Sequence, residues 1–383
     1  MSEYQYYEFQ AIDRRLTESE MRELRSCSSR ATITSSRFVN HYEWGSFKGD
    51  SSRWMEKYFD AFLYLANWGS RELRLRLPRR ILDSATAKLY CRGVAASARI
   101  KGDFVILDFE SQEGDDGDWD DGSGWLSTLI SLRSDLAAGD YRALYLAWLL
   151  CVQTRTLNED ETAPPVPDGL GDLTAPLVAF TEFLRIDRDL IMAAASRSTE
   201  AKTSSSDQEV ERWIAALPDA EKTDWLLRLA VGREPHLGSE LLRRFRESRN
   251  IPRRKGEAPR TVGDLLAAAE QLAEERRQRE AKRAAAELAR REREAAEARE
   301  RYLGSLAKRE SGAWREVDVL IAFKQPDKYD EAVKLLRDLQ DVGLRYGKAA
   351  EVQARLLRLA DENSRKPSFI KRLNEAGLRR GGA

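Results

Sequence analysis

The sequence predicts an α+β protein: an N-terminal α/β domain, then a helical domain, a long charged helix and a C-terminal helical module of repeat-like form. Three observations predict it. In residues 1–110 short aromatic and aliphatic runs with strand character alternate with stretches of helical spacing. From about residue 122 onward the apolar spacing is helical throughout. Between Thr261 and about Leu306, Gly and Pro are nearly absent and Ala, Glu and Arg dominate, which suits a solvated helix.

The aromatic run Tyr4, Tyr6, Tyr7, Phe9 and Ile12 suits a strand. Thr17 with Glu20 is a capping-box pattern opening a helix through Met21 and Leu24. Arg37–Trp44 reads as a second strand. Asp50 and Ser51 are placed to cap a helix carrying Met55, Tyr58, Phe59, Phe62, Leu63 and Leu65, stopped by Asn67-Trp68-Gly69. Leu73, Leu75 and Leu77 alternate with arginines up to Pro78, a half-buried strand with a basic outward face. Asp83 opens a short helix to Tyr90, and Val94–Ile100 and Phe104–Phe109 form a hairpin about Lys101-Gly102-Asp103.

Helical patterns follow at Trp125–Leu136, Tyr141–Val152, Leu173–Leu184, Asp187–Ala195, Asp207–Leu217, Pro218–Val231 and Leu237–Glu247. A serine-rich stretch, residues 196–206, reads as a flexible connection. In the segment 261–306, Glu287→Arg291 and similar pairs favour a single ion-laced helix. Sparse leucines (Leu265, Leu266, Leu272, Leu288) leave a weak coiled coil as the other reading. Past Gly312, Trp314, Val317, Leu320, Ile321, then Leu335, Leu336, Leu339, then Val352, Leu356 and Leu359 mark successive amphipathic helices. The expected division is therefore 1–110, 122–249, a basic linker 250–260, the helix 261–306 and a module 313–375, with 1–250 and 313–375 folding independently.

Lys+Arg and Asp+Glu tie at 64 each, which excludes the global basic excess of a protein held mainly by phosphate. The tie hides an asymmetry: residues 1–160 and 161–249 each carry a net −4, and 250–383 carry +8. Eight of the nine tryptophans precede residue 226, so the large buried rings lie in the first two thirds. The longest apolar stretches, around Leu144–Leu150, are far shorter than a membrane span. The polar start, Ser2-Glu3-Tyr4-Gln5, lacks a signal-peptide pattern, and Cys27, Cys91 and Cys151 are scattered, as reduced thiols of a cytoplasm are.

The runs YQYYEFQAIDR (residues 4–14) and YFDAFLYLANWG (58–69) resemble those of a family of uncharacterised bacterial proteins. That resemblance implies a bacterial cytoplasm and no particular activity. The segment 328–373, KYDEAVKLLRDLQ through PSFIKRL, is similar to the helical tails of bacterial SWIM zinc-finger proteins. The zinc motif of that family, CxC followed by CxH, does not occur here. The second resemblance therefore implies a shared docking surface and no metal site.

Asp115, Asp116, Asp118, Asp120 and Asp121 form an acidic loop. Aligned as a calcium loop, it puts Asp121 where glycine is needed and Ser127 where a bidentate Glu belongs, so the EF-hand reading fails. A solvated connection or a patch facing a basic partner is the expectation. The three cysteines sit in apolar surroundings, and His41 and His236 have no local catalytic signature, so both histidines are expected to be structural. The common nucleotide, zinc-protease and hydrolase motifs are missing, and no cofactor or metal is expected. Arg71, Arg74, Arg76, Arg79 and Arg80 cluster about one strand near Trp68. They are read either as a grip on single-stranded nucleic acid or as a solvated face that blunts a sheet edge. Reversing Arg74 and Arg76 to Glu is expected to leave the fold intact. Arg253, Arg254 and Lys255 are a second candidate phosphate contact.

These features predict a cytoplasmic bacterial protein–protein interaction or scaffold protein with a protein partner, and with self-association through residues 261–306 as an option. A nucleic-acid-associated accessory factor is the alternative. An enzyme of unrecognised class, with a pocket in the N-terminal domain, is the second.

Overall fold

The computed structural model describes residues 3–45, 47–112, 119–198, 207–232, 236–248 and 259–378. Among them, seven strands form one sheet: β1 (Gln5–Gln10), β2 (Thr32–Ile33), β3 (Arg37–Tyr42), β4 (Ala61–Ala66), β5 (Ser70–Pro78), β6 (Ala96–Lys101) and β7 (Phe104–Gln112). Their order is β2-β3-β1-β4-β5-β7-β6. Every neighbouring pair is antiparallel, so the chain is α+β and the N-terminal part is not an alternating α/β unit.

One sequence expectation fails here. The helix placed over Met55–Leu65 stops early: α2 (Ser51–Lys57) is seven residues long, and Ala61–Ala66 is strand β4. Five of those six strand residues are buried because the sheet is covered on both faces at this strand. A run that is apolar on both sides has no period with which to tell strand from helix. The other early elements form as read. α1 (Glu18–Cys27) carries the full Thr17–Glu20 capping box, and α3 (Ser84–Tyr90) is capped by Asp83. Gly102 turns the β6–β7 hairpin at φ +55°.

Side-chain alternation gives the sheet two different faces. Leu63 and Leu65 of β4, Leu73, Leu75 and Leu77 of β5, and Leu107 and Phe109 of β7 face one core. That core is completed by α3, α4 (Trp125–Leu129), α5 (Ser131–Ala137), α6 (Arg142–Gln153), α7 (Ala175–Leu184) and α8 (Arg188–Ala195). α6 is buried almost all round, with Trp148 and Tyr145 fully inside. The single helix expected over Trp125–Leu136 is two, meeting at Ile130, where an Arg133 N–H to Ile130 carbonyl bond tightens the turn. On the opposite face, α1 and α2 cover an aromatic cluster of Phe9, Phe38, Trp54, Phe59 and Phe62 over the β3-β1-β4 part.

The boundary expected between residues 110 and 122 thus falls inside one core. The chain divides instead into two compact units, Met1–Arg276 and Arg277–Ala383. The first also holds α9 (Asp207–Ala216), α10 (Asp219–Val231) and α11 (Leu237–Ser248). α12 (Val262–Lys308) is 47 residues long and runs through the division. Its start is stitched into the first unit: Thr261 and Asp264 cap it reciprocally, at 2.9 and 3.1 Å. The Val262 and Gly263 amides donate to the carbonyls of Glu161 and Glu159, and Leu265 is fully buried. Every residue from 274 to 302 is exposed. In the second unit, α13 (Glu310–Ala322), α15 (Ala349–Glu362) and α16 (Pro367–Glu375) pack on α14 (Pro326–Arg345) around Trp314, Leu336 and Phe369. Gly343 lets α15 approach, since a Cβ there would stand 2.7 Å from Val352 Cγ2.

Candidate functional site

β5 has β4 on one side and β7 on the other, so its arginines do not line a sheet edge. The expected basic face is corrected by what they meet. Arg76 is buried: its Nε and Nη2 donate to Asp60 Oδ1 at 3.1 and 2.8 Å, and its Nη1 donates to the carbonyls of Met55 and Glu56. Arg74 is ion-paired with Asp108 at 3.1 Å, lies against the carboxyl of Glu72, and donates to the Ser51 and Ser52 hydroxyls. Arg71 donates to the Phe183 carbonyl and faces Asp120 at 3.7 Å. Arg79 and Arg80 lie past the strand end and are exposed. Arg253, Arg254 and Lys255 lie outside the described residues.

Asp60 organises a buried charge network. It sits fully buried at the entry to β4, and its Oδ2 accepts the amides of Ile12 and Asp13 at 2.6 and 2.9 Å. Arg133 of α5 reaches the same place. Its Nε donates to the Arg76 carbonyl at 2.7 Å, and its Nη2 to Asp13 Oδ2 at 2.5 Å. His236, at the start of α11, puts Nε2 2.7 Å from Asp13 Oδ1 and 2.9 Å from Arg133 Nη1. Burial alone would raise the Asp13 pKa, but the bonds from His236 and Arg133 hold it down at about 2. Two arginines and two aspartates balance in a largely buried site, a structural arrangement whose integrity depends on every partner.

Beside it on the sheet lies a more open cluster. Glu72 stands across from Tyr64 on β4 and Glu110 on β7, with Arg74 and Asp108 in the next row. Burial raises the Glu72 carboxyl to about 8, with Asp108 and Glu110 adding to the effect against the pull of Arg74. Glu72 therefore holds a proton near neutral pH. The pattern Glu-x-Arg on one strand facing Asp-x-Glu on its neighbour could have signalled this cluster, had the β5–β7 pairing been known.

Of the acidic loop, Asp120 and Asp121 are among the described residues, and both are engaged locally. Asp120 accepts the Trp125 indole N–H at 2.8 Å, and Asp121 accepts the Ser123 amide and hydroxyl. Asp115, Asp116 and Asp118 lie outside the described residues. Among the described residues, no group of three or more His, Cys, Asp or Glu side chains could hold a metal ion. Burial pushes the Cys91 thiol up to about 12, with Cys151 adding to it, which keeps Cys91 protonated and unreactive. His41 is exposed on β3 and lies beside the Tyr4 ring. A groove of about 460 Å³ opens between the end of α6, the start of α8 and the first turns of α12, lined by Gln153, Asp187, Leu266 and Ala273. It contains no member of either charge cluster.

The most unusual surface is on α10. In the sequence Trp225–Val231, WLLRLAV, only Trp225 is buried. Leu226, Leu227, Leu229 and Val231 are 65, 61, 65 and 51% exposed. The inner side of the helix is fully engaged. Arg228 lies over the Trp225 ring at 4.5 Å and pairs with Glu240 of α11 at 2.9 Å, and Arg244 pairs with Glu221. α11 in turn packs on α5, and Arg243 donates to the Arg80 carbonyl at 2.7 Å. α10 is thus anchored through one side and leaves four large apolar groups in water on the other. Sequence reasoning found the helix but missed this face. The available signal was the run itself: six apolar residues in seven exceed what one helical face can bury.

No family model, curated protein or solved structure matches the chain. Among the described residues, no helix is long and apolar enough to cross a membrane.

Proposed function

We propose that the protein acts by binding proteins, as an interaction or scaffold protein with two folded units on one chain. The single observation carrying this reading is the exposed apolar face of α10. Contiguous patches of this kind mark interaction sites, and this one sits on a helix whose other side is locked by ion pairs. The second unit, with exposed Val319 and Phe323 toward the end of α13, offers a further surface. The reading places the protein in a bacterial cytoplasm, where thiols such as Cys27 stay reduced. It is favoured over nucleic-acid binding because Arg71, Arg74 and Arg76 are occupied by carboxylates and carbonyls.

The test is a pull-down of the native protein and of its Leu226→Asp/Leu229→Asp variant, each with and without nuclease. Partners should survive nuclease and be lost in the variant. Partners released by nuclease and unchanged in the variant would favour the nucleic-acid reading instead.

A further inference from the structure

We infer that the α10 face pairs with the same face of a second copy of this chain, making the protein a two-fold dimer. The inference rests on α10 being a docking surface, and names its occupant. Three features select a second copy. First, all exposed side chains in 226–231 are apolar, because Arg228, the one charged residue there, is turned onto Trp225. A face without charge offers nothing for a charged partner to read, whereas an identical face matches it fully.

Second, Leu226, Leu227, Leu229 and Ala230 fall within roughly 160° of arc on a helix of 3.6 residues per turn, and Val231 extends the face to roughly 200°. That is wide enough for two copies to cross antiparallel about this half of the helix. The exposed acids, Asp219 and Asp224, lie in the N-terminal half. An antiparallel crossing sends the two N-terminal halves in opposite directions, so the like charges do not meet. In an isologous contact each residue is used twice.

Third, the area is of the right order. A standard interface buries about 800 Å² per partner. Its centre is about 65% apolar. Four large side chains each more than half exposed form a patch on the order of a few hundred Å², which supplies that centre, with the α10 flanks as the polar rim.

Sedimentation equilibrium on the full chain tests the pairing. At micromolar concentration the wild type should show twice the 43.7 kDa chain mass. Leu226→Asp/Leu229→Asp should be monomeric with unchanged circular dichroism, and Leu288→Asp, on the exposed part of α12, should remain dimeric. A monomeric wild type overturns the inference, as does a dimer that survives the α10 changes or is lost with Leu288→Asp. Should the α10 variant lose helix content, Leu227→Cys in a Cys27→Ser background replaces it. A short bismaleimide should then join two chains through position 227, and absence of that product overturns the pairing. A monomeric wild type still leaves α10 open to a different protein, which the pull-down reads separately.

Discussion

Arg76 Nη2 lies 2.8 Å from Asp60 Oδ1, and the carboxylate is fully buried. This pair ties the middle of β5 to the entry of β4. Through the other oxygen of Asp60 it also holds the backbone at Ile12 and Asp13, just after β1.

Removing one partner of such a pair strands the other charge, at about 3 to 5 kcal/mol. Arg76→Glu, which brings a second carboxylate to Asp60, should therefore unfold the first unit or destabilise it by at least that order in urea titrations. Arg79→Glu, on an exposed residue two positions past Leu77, should change stability by less than about 0.5 kcal/mol. Equal effects of the two reversals would show that the Asp60 network does not hold the sheet.

Two groups should shape stability against pH in opposite directions. Glu72 keeps its proton to about pH 8 in the folded protein, against an ordinary value of 4.5. Its contribution is complete below 4.5 and declines as pH rises through 8, because the unfolded chain gives up the proton first. Asp13 is held at about 2 against 3.8, so its contribution is present above 3.8 and lost as pH falls through 2. Denaturant midpoints should show Glu72→Gln flattening the neutral limb and Asp13→Asn flattening the acid limb. Parallel curves for wild type and variants would contradict both assignments.

Much of the fold was legible because its signals are local. The Thr17–Glu20 box, the Asp83 cap and the Gly102 hairpin are each set by residues a few positions apart. The 261–306 helix was legible because its composition permits little else. Strand β4 was not, since Phe62 and Leu63 serve different cores on opposite faces and leave no period to read. The arginines of β5 misled for a related reason. Alternation with Leu73, Leu75 and Leu77 showed correctly that Arg74 and Arg76 leave the leucine core. What lies on the other face depends on Asp60 and Asp108, which belong to the Phe59–Ala61 junction and to β7 and are distant in sequence.

Over residues 281–298 the long helix is exposed on every side, with Glu287 and Arg291 paired at 2.6 Å and Leu288 60% exposed. An isolated 261–306 peptide should be monomeric, with helicity independent of concentration and reduced by high salt as the pairs are screened. A stable peptide dimer at micromolar concentration would make this segment an oligomerisation element in its own right.

The claim that α10 is a docking surface is tested most directly by a photo-crosslinking amino acid at position 227, compared with the same group at Glu294 on the exposed part of α12. In the native cell, position 227 should give a discrete protein adduct, whether to a second copy or to another protein, and position 294 should not. An unreacted chain at 227, or equal yields at both positions, would contradict the account.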